Sequence, residues 1–171
     1  MALAILFLML KQDYTHLTIF EGFDQAELAL IDPLLEVIAF QKDDVIFEQG
    51  QSAAFLYILL HGEVLVQYKP YDGPPLDVAR IAAGGVFGWS AALRRSAYTS
   101  AALALSCGEA ARLRGEQLRQ LCECHPDMGV IMLDRLASVI AERLRSTHAQ
   151  VLSMLTEGME LDENCRRRLA L

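Results

Sequence analysis

The sequence lacks the residue patterns that common catalytic and metal sites require. It contains no Gly-x-Ser-x-Gly motif and no Ser-His-Asp order, and its histidines form no His-x-His pair. Cys122 and Cys124 lie two apart on a predicted helix, so their side chains point in different directions. No second pair of cysteines or histidines completes four zinc ligands. The sequence therefore predicts neither an enzyme nor a metal site.

Disulfide spacing and an excess of basic residues are absent as well. The 4 cysteines do not follow the spacing of a disulfide framework, which favours the reducing cytoplasm. A net charge of -7 argues against a nucleic-acid surface over the whole molecule. It leaves room for one local basic pocket.

No apolar run is long enough to cross a bilayer. The apolar opening covers residues 1–10, about half of what a membrane span needs. It has no basic region before it and no small-residue cleavage site after it. We expect this segment to pack as a helix on its own domain or to contact a second copy, and we expect no membrane association.

A short helix is predicted after this opening. Asp24 stands at the N-cap position, Glu27 follows three residues later as in a capping box, and Pro33 ends the run. Residues 1–33 are thus predicted to form an N-terminal helical segment.

From Val37 onward, short runs rich in Val, Ile, Tyr and Phe alternate with a period of two. Most of these runs are separated by turns that contain glycine. Many short strands at near-regular spacing predict an antiparallel sandwich of the jelly-roll kind, a β-roll of about eight strands from Val37 to Arg114. The fold class is mainly β with flanking helices, and the β-roll domain is assigned to residues 34–115.

Helical periodicity replaces the strand period near Gly115. A short helix is predicted up to Pro126, and residues 130–157 contain neither glycine nor proline. A helix of that length would run roughly 40 Å, more than one small β-domain covers. Residues 116–171 are assigned to the C-terminal helices, and part of the long helix is expected to meet a second copy of itself. We therefore predict a homodimer contact within 128–155. Its apolar stripe consists of Met128, Met132, Leu136, Val139, Ile140, Leu144, Val151 and Leu155.

The turn “FGWSAALRRSAYTSAA”, residues 87–102, combines glycine, arginine and serine. Gly88 allows close approach of the backbone, and a helix expected to begin there would present unpaired N–H groups. Arg94 or Arg95 supplies a guanidinium fork for two phosphate oxygens, and Ser96 supplies one more donor. This predicts an anion site; the alternative is a solvated loop whose arginines stack or pair on the surface.

The predicted elements follow one another in the order β-roll, phosphate turn and long helix. In this order, roughly residues 17–155 resemble the cyclic-nucleotide-binding domains. These occur in catabolite-activator-like (Crp-like) bacterial regulators and in regulatory subunits of cAMP-dependent kinase. Residues 43–68, “DDVIFEQGQSAAFLYILLHGEVLVQY”, are similar to the family's entry strands, and residues 84–102 occupy the place of its phosphate-binding cassette. The resemblance implies a regulatory domain that senses cAMP, cGMP or a related phosphate-bearing small molecule and signals through the long helix.

The cassette departs from the family pattern at two positions. The family follows the glycine with a glutamate that accepts a hydrogen bond from the ribose hydroxyl, whereas Trp89 follows Gly88 here. The family's arginine opens an Arg-x-Ala strand entry. Counted back from “YTSAA”, that position falls on Ala97, while Arg94 and Arg95 lie two to three residues earlier. Either arginine is a candidate for the phosphate.

The resemblance implies a ligand site shared by the cassette and the long helix. Thr147 and His148 fall where the bacterial regulators cap the base, or else they form an exposed polar pair. Trp89 either stacks on a ring of the ligand or fills space in the core or an interface. The expected ligand-binding residues are Phe87, Gly88, Trp89, Ser90, Ala91, Arg94, Arg95, Ser96, Ala97, Thr147 and His148.

The family's bacterial transcription factors continue into a helix-turn-helix domain, and such a domain is not expected here. Only the sixteen residues Thr156 to Leu171 follow Leu155. Their “CRRRLAL” stretch either contacts RNA or an acidic protein partner or is a solvated helix end, and no sequence-specific DNA binding is expected. The alternative function is a degenerate domain that binds no nucleotide and acts as a protein-interaction and dimerisation module.

Overall fold

A computed structural model of the chain describes residues 17–146. This part begins with a 3-10 helix over Thr18–Phe20, α1 over Gln25–Ile31 and a 3-10 turn over Asp32–Leu34. The predicted capping box is confirmed, because Asp24 Oδ1 accepts from the Glu27 N–H at 2.8 Å and Glu27 Oε2 accepts from the Asp24 N–H at 2.9 Å. Pro33, which was predicted to end this helix, lies in the 3-10 turn that follows α1.

The predicted β-roll is confirmed. The described chain contains two four-stranded sheets, with strand orders β1-β8-β3-β6 and β2-β7-β4-β5. All strand pairs within them are antiparallel. The strands are β1 Glu36–Phe40, β2 Val45–Phe47, β3 Phe55–His61, β4 Val64–Tyr68, β5 Leu76–Ile81, β6 Val86–Phe87, β7 Ala101–Ala104 and β8 Gly108–Arg114. The two-residue strand β6 is the one that the sequence pattern did not predict.

Alternate residues of the strands form one buried cluster. Aromatic rings fill much of it: Phe47 stacks on Tyr98 with ring centroids 3.9 Å apart, and Tyr57 stacks on Phe87 at 5.1 Å. Small side chains such as Ala110 lie beside these rings in the same cluster. This packing removes apolar area from water, and it anchors both ends of the segment 87–98 to the core.

Two helices follow the β-roll. α2 spans Gly115–Cys124, and α3 occupies residues 126–146 of the described chain. The prediction of a short helix that Pro126 interrupts is thus confirmed. The chain divides into two compact units after Arg135, so residues 126–135 belong to the unit that contains the β-roll. The domain boundaries at 33/34 and 115/116 stay a prediction.

The burial along α3 corrects the predicted apolar stripe at its first residues, and the homodimer contact within 128–155 stays a prediction. In the first unit, Met128 and Met132 are only 3% and 2% exposed and belong to the core, whereas Val130 and Leu133 are 68% and 53% exposed. In the second unit, Leu144 is 66% exposed. A regular spacing identifies residues that share a face but not what covers that face. The end of the stripe, Val151 and Leu155, lies outside the described residues.

None of the helices within residues 17–146 combines the length and the hydropathy of a membrane span. The apolar opening of residues 1–10 and the basic C-terminal stretch lie outside the described residues.

Candidate functional site

The turn of the cassette begins at Gly88, directly after β6. Its φ of 72° lies in the left-handed region, which favours glycine. A Cβ at this position would come within 2.9 Å of Tyr57 Cδ2 and 3.0 Å of the Phe55 carbonyl oxygen. Both the conformation and the close packing against β3 therefore require glycine here.

The helix expected to begin at Gly88 does not form, and residues 89–94 make turns instead. The Leu93 N–H donates to the Trp89 carbonyl at 3.1 Å, and the Arg95 N–H donates to the Ser90 carbonyl at 3.0 Å. Arg94, with φ of 57°, closes this single turn in the left-handed conformation that commonly ends helices. A single turn is too short to carry a helix macrodipole. The prediction that a helix dipole contributes to an anion site here is therefore wrong.

The two arginines of the turn have different surroundings. Arg94 Nη2 lies 3.5 Å from Glu123 Oε1 on α2, and both side chains are exposed. Arg95 is exposed as well, and no ion pair joins it to any of residues 17–146. Within this part of the chain, Arg95 is therefore the arginine of the turn whose charge is not engaged by a carboxylate.

The remaining cassette residues lie at different depths. Phe87, Ser90 and Ala91 are 0%, 5% and 2% exposed, so they are buried. Gly88, Trp89 and Ala97 are half-buried, and Ser96 is exposed beside Arg95. Arg95 and Ser96 are thus neighbouring residues that are both exposed to solvent. Thr147 and His148 lie outside the described residues.

The end of the cassette is joined to β3 through residues 96–98. The Ala53 N–H donates to the Ser96 carbonyl at 3.1 Å, and Ala97 forms an isolated bridge with Ser52. The Tyr98 hydroxyl donates to the Phe55 carbonyl at 2.7 Å and accepts from the Phe55 N–H at 3.0 Å. Burial raises the pKa of Tyr98, so this hydroxyl keeps its proton. This role could not be predicted from the sequence, because an alternating strand pattern does not show that a hydroxyl bonds to the backbone.

α2 contacts the cassette turn from the other side. Arg119 Nη1 donates to the Ala91 carbonyl at 2.8 Å. Gly115, the first residue of α2, packs so closely on Ala91 that an added Cβ would overlap its carbonyl group. Neither contact could be predicted from local patterns, because both join α2 to a residue far away in the sequence, 28 positions away for Arg119. The one available signal was a glycine at the start of a predicted helix.

The three cysteines in the described part of the chain form no disulfide. Cys107, Cys122 and Cys124 are free, and burial raises the pKa of the Cys122 thiol. Among residues 17–146, no three side chains of His, Cys, Asp or Glu are grouped to hold a metal ion.

Comparison with known proteins agrees with this architecture. The model of the family described as “Cyclic nucleotide-binding domain” matches residues 37–125. The cAMP-activated global transcriptional regulator CRP of Pasteurella multocida is 29% identical over 132 residues, which cover 72% of this chain and 61% of that protein. The chain thus spans about three-fifths of the length of this curated relative.

Two solved structures share the fold. A cyclic nucleotide-binding domain from Methylobacillus flagellatus superposes with a TM-score of 0.73 at 22% identity and covers 79% of this chain and 76% of its own. The catabolite activator protein of Thermus thermophilus superposes with a TM-score of 0.67 at 24% identity and covers 81% of this chain and 63% of its own.

Proposed function

This chain belongs to the cyclic nucleotide-binding domain family, and from that premise we propose that it is a cytoplasmic regulatory domain for a phosphate-bearing small molecule. The ligand is a cyclic nucleotide, cAMP or cGMP, or a related phosphate compound. It binds at the cassette, and its binding is relayed to a partner through the long C-terminal helix. The ligand favours one arrangement of that helix because its contacts differ between the two arrangements.

The surroundings of Arg95 support this proposal. Its guanidinium is exposed and is not engaged by any carboxylate of residues 17–146, whereas Arg94 pairs with Glu123. Residues 95–97 read Arg-Ser-Ala, which is the Arg-x-Ala pattern of the family's strand entry. We therefore assign the phosphate-binding position to Arg95 instead of Ala97. A guanidinium bonds two phosphate oxygens in parallel, and Ser96 adds a hydroxyl donor.

With Trp89 in place of a glutamate, this site lacks an acceptor for the ribose hydroxyl. Trp89 stands where the family has the glutamate that accepts from the ribose hydroxyl, and an indole N–H only donates. The loss of a hydrogen bond to a charged group costs about 1.5–3 kcal/mol. We therefore propose that the phosphate is held well and the ribose poorly, so that cAMP binds roughly ten- to a hundredfold more weakly than to a cassette with that glutamate.

Titration calorimetry with cAMP and with cGMP tests this proposal. We expect heat of binding for wild type and for Arg94→Ala, the matched control, because Arg94 pairs with Glu123. Arg95→Ala is expected to lose most of the affinity. Equal affinity in wild type, Arg95→Ala and the double variant Arg94→Ala/Arg95→Ala would show that the cassette holds no phosphate.

A second candidate function is a dimerisation and protein-interaction module without nucleotide binding. Val130 and Leu133 in the first unit and Leu144 in the second are each more than half exposed. With Ile140, their spacings of three, seven and four residues in the sequence fit the heptad repeat of a two-stranded coiled coil. Sedimentation at tens of micromolar is expected to show a dimer for wild type and a monomer for Ile140→Glu/Leu144→Glu. A dimer that gives no heat with either nucleotide would favour the module.

A further inference from the structure

The Ala91 carbonyl completes the hydrogen bonding of the cassette turn in an unusual way. The bond from the Arg95 N–H to the Ser90 carbonyl and the left-handed Arg94 are two parts of the motif that closes many helices. In the complete motif, the N–H of residue 94 would also donate to the carbonyl of residue 91. Among the described residues, the Ala91 carbonyl instead accepts from the guanidinium of Arg119, at 2.8 Å. A side chain of α2 thus replaces a backbone bond of the turn.

This replacement is buried and sterically supported. Ala91 is 2% exposed, so without Arg119 its carbonyl would be poorly reached by water. An unpaired buried carbonyl is costly, and a charged donor makes a stronger bond than a neutral one. Gly115 holds Ala91 from the start of α2, and the Gly115 N–H is itself bonded to the Ala54 carbonyl at 3.0 Å. The position of Ala91 is therefore fixed by α2 and, through Gly115, by the residue that precedes β3.

We infer that Arg119 is a positioning residue for the phosphate site, because its guanidinium holds the Ala91 carbonyl and thereby the turn that presents Arg95. This inference rests on the proposed function for the role of Arg95. If Arg119 no longer donates, the turn between Ser90 and Arg95 loses one of its fixed points, and the Arg95 guanidinium is no longer held for a bound phosphate.

Trp89 provides a readout that needs no ligand. It is the 1 tryptophan of the chain and lies within the turn, so quenching of its fluorescence by acrylamide measures the exposure of the turn itself. Arg119→Met removes the donor and keeps an unbranched side chain. Arg119→Lys keeps a charged donor and serves as the matched control.

We expect acrylamide quenching to increase in Arg119→Met and to return toward the wild-type value in Arg119→Lys. The affinity for cAMP, measured by calorimetry, is expected to fall about tenfold in Arg119→Met and to recover at least in part in Arg119→Lys. If Arg119→Met does not fold, Arg119→Gln, which has a shorter neutral donor, is measured in the same two assays with an intermediate effect expected.

Two results would overturn the inference. Unchanged quenching in a folded Arg119→Met or Arg119→Gln protein would show that Arg119 does not hold the turn. Increased quenching with unchanged cAMP affinity would show that the turn does not position the phosphate site. A wild-type protein that binds no nucleotide, with quenching increased in Arg119→Met, would contradict the proposed function and support the hold of Arg119 on the turn.

Discussion

Removing the Tyr98 hydroxyl tests how the cassette is joined to the β-roll. Tyr98 is 4% exposed, and its hydroxyl bonds both the N–H and the carbonyl of Phe55, at 3.0 and 2.7 Å. Tyr98→Phe retains the ring that stacks on Phe47 and deletes only the oxygen. The substitution therefore isolates the two hydrogen bonds from the apolar packing.

The expected loss of stability follows from these two bonds. Each is worth about 1 kcal/mol net, and each leaves a partly buried backbone group of Phe55 without that partner. Together they predict a decrease of about 2–3 kcal/mol in the free energy of unfolding. For a chain of this size, a change of 1 kcal/mol shifts the melting temperature by roughly 2–4 °C. Tyr98→Phe is therefore expected to melt roughly 4–12 °C below wild type.

Urea unfolding followed by circular dichroism measures this change. Tyr71→Phe is the matched control: Tyr71 is fully exposed, at 101%, so loss of its hydroxyl is expected to leave stability unchanged. A Tyr98→Phe protein within about 0.5 kcal/mol of wild type would refute the assignment of the Tyr98 hydroxyl as the bond between cassette and β3.

Two further predictions concern the same segment. Burial raises the pKa of Tyr98 from its ordinary value of 10.0, so the unfolded chain releases this proton at a lower pH than the folded chain. The free energy of unfolding is therefore expected to fall as the pH rises above about 10, and to fall less in Tyr98→Phe than in wild type. Urea unfolding at pH 9 and at pH 11 measures this fall, and an equal fall in the two proteins would contradict the expectation. Arg94→Gly is expected to raise the free energy of unfolding by about 1 kcal/mol, because glycine adopts the left-handed conformation without strain. The lost ion pair with Glu123 is exposed and contributes little to stability. Arg94→Ala lacks that relief, and a glycine variant no more stable than the alanine variant would contradict the strain argument.

Local sequence patterns predicted the elements whose cause is local. The capping box of Asp24 and Glu27 and the alternating strands depend on neighbouring residues, and both are found. Strand β6 was missed because two residues, Val86 and Phe87, are too few to show a period. The cassette helix was predicted wrongly because residues 96–98 pair with residues 50–53, which precede β3, and the turn closes at Arg94.

Contacts between distant positions could not be predicted from spacing. Periodicity placed Met128 and Met132 on one face, but only the packed structure shows that this face belongs to the core of its own unit. The bond from Arg119 to Ala91 joins residues on different elements, and no local pattern marks it. The location of the cassette within residues 84–102 stays a prediction, which depends on contiguous residues alone.

We propose that the cassette recognises the phosphate through Arg95 without the ribose contact that a glutamate would supply. The most direct test is a calorimetric comparison of cAMP with 2′-deoxy-cAMP on the wild-type protein. The two ligands share the cyclic phosphate and the base and differ only in the ribose hydroxyl. We predict that both bind with dissociation constants within about threefold of each other, because Trp89 offers no acceptor to that hydroxyl. A deoxy ligand bound tenfold or more weakly, or no binding of either ligand, would contradict the claim.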